Sequence, residues 1–180
     1  MRFYYKFMLA AGLLLGAQQA RAQFTGTWAK ADIPLFYNQR YQVGDILFDP
    51  AQDRADFTLR PSGRIYQYYN FNTTYSGGRP ELRRQLLAAL HTPPAGTSGS
   101  GYLTVRFVVN FRGETDRFRV QELDSAYQPQ AFAPPLVAWV LRACRDLQSW
   151  QPGRIDGETQ DSYFYCTFIV REGSIQDVLL

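Results

Sequence analysis

From Leu103 to Phe111 the side chains alternate, with Leu103, Val105, Phe107, Val109 and Phe111 on one side and Tyr102, Thr104, Arg106, Val108 and Asn110 on the other. That is the period of a strand with one buried face, and such a face must be covered by something. Two segments have the spacing to cover it. Arg79 to Leu90 repeats Leu82, Leu86 and Leu90 every four residues, with Pro80 in the first turn, where a missing N–H costs nothing, and His91 and Pro93 marking its end. Pro134 to Gln148 sets Leu136, Val137, Val140, Leu141, Cys144 and Leu147 at helical spacing and leaves Arg142, Arg145 and Asp146 for solvent. Between the helices Arg112-Gly113 turns the chain, and Phe118 and Val120 continue a returning strand to about Glu122. Trp150-Gln151-Pro152-Gly153 stops the second helix, Asp156-Gly157 turns, and Tyr163 to Arg171 forms a last strand with Phe164, Cys166, Phe168 and Val170 on one face. The order helix, strand, strand, helix, strand over residues 75–180 is that of an α+β module.

This arrangement points Cys144 and Cys166 into one helix–sheet interface. A disulfide between them is permitted if their Cα atoms come within ~7 Å, the alternative being two buried thiols. In the chain-entropy model such a bond contributes about 3 kcal/mol.

The first 22 residues read as a leader. Met1 to Lys6 carries two positive charges, Phe7 to Ala17 is apolar, and Ala20-Arg21-Ala22 has small residues where signal peptidase needs them, so cleavage is expected after Ala22. An apolar run of this length spans only about half of a ~30 Å hydrocarbon core, which disfavours a permanent anchor. Neither cysteine stands where a lipid-modified first residue would be. The expectation is a soluble periplasmic or secreted product in an oxidising compartment. Setting aside Arg2, Lys6 and Arg21 of the leader leaves basic and acidic residues equal at 16 each, so no basic stripe points to nucleic acid.

Residues 23–74 are rich in Tyr, Phe, Asp and Arg and carry no chemical motif. Asp56 to Arg60, the turn at Pro61-Ser62-Gly63, and Ile65 to Phe71 read as a β-hairpin. Tyr66, Tyr68, Tyr69 and Phe71 belong to strand and core before they make a binding surface. Thr92 to Ser100 is a short connector rich in Pro, Gly and Ser.

The stretch Tyr75-Ser76-Gly77-Gly78-Arg79-Pro80-Glu81-Leu82, then Gly99-Ser100-Gly101 before the strand, the turn at Gly113, and Trp150-Gln151-Pro152-Gly153 with Gly157 beyond it resemble the C-terminal domain of TonB-like energy transducers of the Bacteroidetes type. The likeness covers residues 75–171, slightly over half the chain, and implies a fold of two helices packed on a three-stranded antiparallel sheet. These residues build a fold: Gly77 and Gly78 permit unusual backbone angles before the helix, and Trp150 is a large plug between helix and strand. The resemblance implies a recognition module that takes an extended peptide, such as the TonB box of an outer-membrane transporter, as a strand beside its own last strand. The implied contacts are Tyr163, Tyr165, Thr167, Ile169 and Arg171, with a homodimer through the same edge as a further option. The sequence departs from the transducers in having no retained membrane helix and no long Pro-rich spacer; Pro93-Pro94 and Pro134-Pro135 are too short for one. A binding module linked to outer-membrane transport is therefore expected, the alternatives being an envelope assembly protein acting through residues 23–74 or a true transducer with an uncleaved anchor.

An enzyme is not expected, and neither is a cofactor or a metal. The single histidine, His91, ends a helix, where imidazole usually caps. There is no HExxH, GxSxG, phosphate loop or Cys/His cluster. The acids Asp53, Asp56, Asp156 and Glu158 lie in or near turns, where carboxylates are normally solvated.

Overall fold

A computed structural model describes residues 45–67 and 71–180 of the 180-residue chain. Residues 1–44, which include the expected leader, and residues 68–70, which include Tyr68 and Tyr69, lie outside the described residues. The described chain is α+β. Its elements are β1 (Ile65–Tyr66), β2 (Thr74–Tyr75), α1 (Gly78–Ala89), β3 (Gly101–Val109), β4 (Thr115–Asp124), α2 (Pro134–Arg145), β5 (Trp150–Gln151), β6 (Arg154–Ile155), β7 (Glu158–Thr159), β8 (Asp161–Arg171) and β9 (Ser174–Leu179).

Both helices follow their leucine spacing. Leu82 and Leu86 of α1 and Leu136, Val140 and Cys144 of α2 are fully buried against Leu103, Val105 and Phe107 of β3 and Cys166, Phe168 and Val170 of β8. Each such aliphatic or aromatic side chain contributes about 1.5–3 kcal/mol on leaving water. Trp150 closes one end of this core, its ring edge-on to Tyr75, Phe107 and Phe164, in the plugging role expected of it. Its backbone also pairs with Tyr75 where β5 meets β2 antiparallel, so the Trp-x-Pro-Gly turn and the segment before α1 are stitched together. Gly77 and Gly78 do take positive φ, 82° and 72°.

The sheet is wider than the expected three strands. β8 pairs antiparallel with β3 over Ser162 to Val170, Leu103 opposite Phe168 and Phe107 opposite Phe164, and β3 pairs in turn with β4. On its other side β8 is flanked twice. Ile65–Tyr66 runs parallel to Asp161–Ser162, and Ser174–Leu179 folds back antiparallel on Thr167–Arg171. The result is a five-stranded sheet in which β8 is interior.

Two local causes produce this difference. Glu172 and Gly173 both have positive φ, 49° and 74°, which is the geometry of a two-residue hairpin turn matched to strand twist; Glu-Gly is not the usual Asn-Gly or Asp-Gly pair, and β9 was not expected. The turn at Pro61-Ser62-Gly63 forms, with Gly63 N–H donating to the Arg60 carbonyl at 2.9 Å, but among the described residues it makes no hairpin. The Arg60 N–H donates instead to the Asp161 carboxylate at 2.7 Å, which draws the following residues alongside β8.

Cys144 and Cys166 are both buried, as expected, but they are free thiols with no bond between them. Burial pushes both thiols above their ordinary range, outweighing the nearby Arg145 charge at Cys144, which leaves two packed apolar groups and not a nucleophile.

Candidate functional site

The five β8 residues expected to meet a peptide divide according to what covers them. Tyr163, Tyr165, Thr167 and Ile169 all lie on the face away from the helices, opposite Val108, Arg106, Thr104 and Tyr102 respectively. Tyr163 is not a surface residue. It is fully buried with Ile46, Phe57 and Val108 beneath the segment before β1; its hydroxyl donates to Asp45 Oδ1 at 3.1 Å and accepts from the Ile46 N–H at 3.2 Å. Burial raises the tyrosine above its ordinary value. Arg106 stacks on the same ring at 4.2 Å. Thr167 is half-buried and shares a 2.8 Å hydrogen bond with Thr104 across the strands. Tyr165 is half-buried, and Arg171 is exposed at the end of β8. Because β1 and β9 occupy the outer side of β8, these residues do not form a free edge, and strand addition beside β8 is ruled out along Asp161–Ser162 and Thr167–Arg171.

The segment covering this face is held by polar clamps. Arg119 grips Asp53 with two parallel bonds, Nη1 to Oδ1 at 2.8 Å and Nη2 to Oδ2 at 2.7 Å, and reaches the Leu47 carbonyl at 2.7 Å. The guanidinium holds the Asp53 carboxyl below its ordinary range. Asp116 accepts the Arg54 N–H, and Asp161 accepts the Arg60 and Phe111 N–H groups. Burial nevertheless pushes the Asp161 carboxyl up. These acids are structural, each matched to donors that tie one segment to the sheet.

Among the described residues the sheet has three outer strands: the two-residue β1 and the longer β9, both beside β8, and β4 on the opposite side. The β4 edge is partly taken. The chain after β4 doubles back, with Gln130 N–H donating to the Glu122 carbonyl and Asp124 N–H to the Gln128 carbonyl, and the Arg119 side chain covers the Phe118 carbonyl. The β9 edge is more open. Beyond it no described strand follows, and the Val178 N–H turns onto the carboxylate of its own neighbour Asp177 at 2.6 Å. That carboxylate is also paired with Arg83 of α1 at 2.8 Å, which keeps it ionised to lower pH than usual. A register shift opposite Ile169/Val170 leaves Gln176 as an extra residue on β9, a bulge of the kind that limits indiscriminate edge pairing.

A hollow of about 690 Å³ adjoins this edge. Ser174 and Gln176 of β9 form one side, and Tyr102, Ser125, Ile169, Arg171 and the acid Glu172 are among its other lining residues. Tyr102 is stacked on exposed Tyr127, centroids 5.0 Å apart and planes within 6°. Ile169 and Arg171 are thus the two of the five expected residues that line this hollow. Ser174, Gln176, Tyr102 and Tyr127 were not singled out for binding; the signal for the first two was the alternation of Ser174 to Leu179 after a Gly-containing turn.

No catalytic constellation accompanies the hollow. His91 Nδ1–H donates to the Ala88 carbonyl at 2.7 Å and caps the end of α1. Among the described residues no three His, Cys, Asp or Glu side chains cluster as metal ligands, and no described helix is long and apolar enough to cross a membrane. No family model, curated protein or solved structure matches the chain.

Proposed function

We propose that the chain is an exported recognition module of TonB C-terminal-like type, which binds an extended polypeptide by accepting it as a further strand on the outer edge of β9. The observation that carries this reading is the contrast between the β4 and β9 edges. The end of β4, at Glu122 and Asp124, is paired with its own following loop, whereas on β9 the Val178 N–H is held by a neighbouring side chain. Main-chain pairing then supplies affinity, and a pocket beside the edge supplies selectivity. The hollow bordered by Ser174 and Gln176 is placed to take one side chain of the added strand. The partner class is an unstructured segment such as the N-terminal box of an outer-membrane transporter, and the module has no chemistry of its own.

The test is binding to an array of such transporter N-terminal peptides. Val178→Pro removes the outward donor at an edge, where proline is tolerated. The expected result is peptide binding by the parent chain and its loss in the variant with the circular dichroism spectrum retained. Undiminished binding by the folded variant would sink the proposal.

A further inference from the structure

At the far end of β8 from β9, a second hollow of about 600 Å³ is lined by Arg64, Tyr66, Phe71, Asn72, Arg154 and Ile155. Its walls have a consistent chemistry. Tyr66 and Phe71 stack with centroids 4.8 Å apart and planes within 12°, and the Arg64 guanidinium lies 4.6 Å over the Tyr66 ring. Arg154 is fixed at both ends, its N–H donating to Asn72 Oδ1 at 3.1 Å and its Nη1 to the Gly157 carbonyl at 3.0 Å. None of the described lining residues is acidic. Glu158, on the same hairpin as Arg154, is already paired with Arg60 at 2.7 Å.

Two guanidinium cations thus border one concave surface with no carboxylate among its described lining residues, beside an aromatic wall and the partly exposed Ile155. Guanidinium forks match the planar or tetrahedral oxygens of carboxylates and phosphates, and stacked rings favour a flat apolar body. The volume falls within the range of small-molecule sites. We infer that this hollow is a binding site for a small organic anion, an aryl-type carboxylate or phosphate ester, held by Arg64 and Arg154 with its ring against Tyr66, Phe71 and Ile155. The site lies apart from β9, so it stands or falls independently of peptide addition.

Gly153 maintains the wall. A Cβ at this position would fall within the Phe71 ring and 2.7 Å from Asn72 Oδ1, so the final residue of the Trp-x-Pro-Gly turn is glycine where the ring and the Arg154 partner crowd in.

Calorimetric titration of the full chain with phenyl phosphate and with benzoate, and with phenol and inorganic phosphate as controls, tests the assignment. One of the two aryl anions is expected to bind at least about tenfold more tightly than either control, the tighter one identifying the headgroup. In Arg64→Ala/Arg154→Ala that binding is expected to weaken about tenfold or more; both residues are exposed, and an unchanged melting curve verifies folding. Phenol binding as well as the anions, no aryl anion binding at millimolar concentration, or undiminished binding by the folded double variant would each overturn the inference.

Discussion

The two faces of the central sheet are covered by opposite means. Beneath α1 and α2 the sheet is sealed by hydrocarbon: Leu82, Leu86, Leu136, Val140, Leu103, Phe107 and Phe168 pack with no buried ion pair among them. Beneath the segment 45–66 the apolar contact is small, Ile46 and Phe57 on Val108 and Tyr163, and directed polar bonds position the chain. A face closed by area alone tolerates small shifts of its cover. A face closed by forked bonds fixes its cover in one place, and here that place sets β1 against the start of β8 and builds the arginine-lined hollow.

Breaking each cover should have a different signature. The largest effect is expected from Phe168→Ala on the helix side, a cavity costing about 3–5 kcal/mol in urea unfolding and nearly independent of pH. Asp53→Asn on the other side should cost about 3 kcal/mol at neutral pH, because it leaves the Arg119 cation without its buried partner. The sign of its pH dependence follows from the lowered carboxyl. The clamp's contribution is present above the ordinary aspartate value of 3.8 and is lost as pH falls through the folded value, so the two proteins should converge in acid. Asp161, whose carboxyl burial raises, has the opposite sign: its titration favours the fold below the ordinary value, and that contribution is lost as pH rises through the folded one. Gly153→Ala should cost the least, about 1–3 kcal/mol by melting temperature, since the Phe71 ring must yield to the new methyl group. The same variant should also weaken aryl-anion binding, whereas Phe168→Ala should leave it intact in the folded protein.

The helix-covered face was legible because its covering elements announce themselves by period. Leucines four apart in α1 and alternation in β3 each identify a face without knowledge of the partner. The polar face was not legible for the same reason. Asp53, Arg119 and Asp161 stand far apart in the chain, and an acid in a turn looks solvated until the fold brings a donor to it. Residues 56–60 looked like a strand because their composition suits one, yet the Arg60 amide found a better acceptor in Asp161 than in a hairpin partner. The last strand was missed through turn chemistry: Glu172 adopts a left-handed conformation more typical of Asn or Gly, so the chain reverses where no reversal was read. That miss displaced the candidate edge from β8 to β9. Of the residues expected to bind, Ile169 and Arg171 line the hollow beside β9, and Tyr163 belongs to the core.

Residue-resolved amide hydrogen exchange, with and without a bound transporter-derived peptide, addresses the β9 edge most directly. In the unliganded protein the interior β8 amides should exchange slowly and the Val178 amide quickly, since it is held by its neighbour's carboxylate; on peptide binding Val178 should become protected while β8 changes little. Peptide binding that leaves β9 exchanging as before, or that alters protection along β8 instead, would contradict the assignment of β9 as the receiving edge.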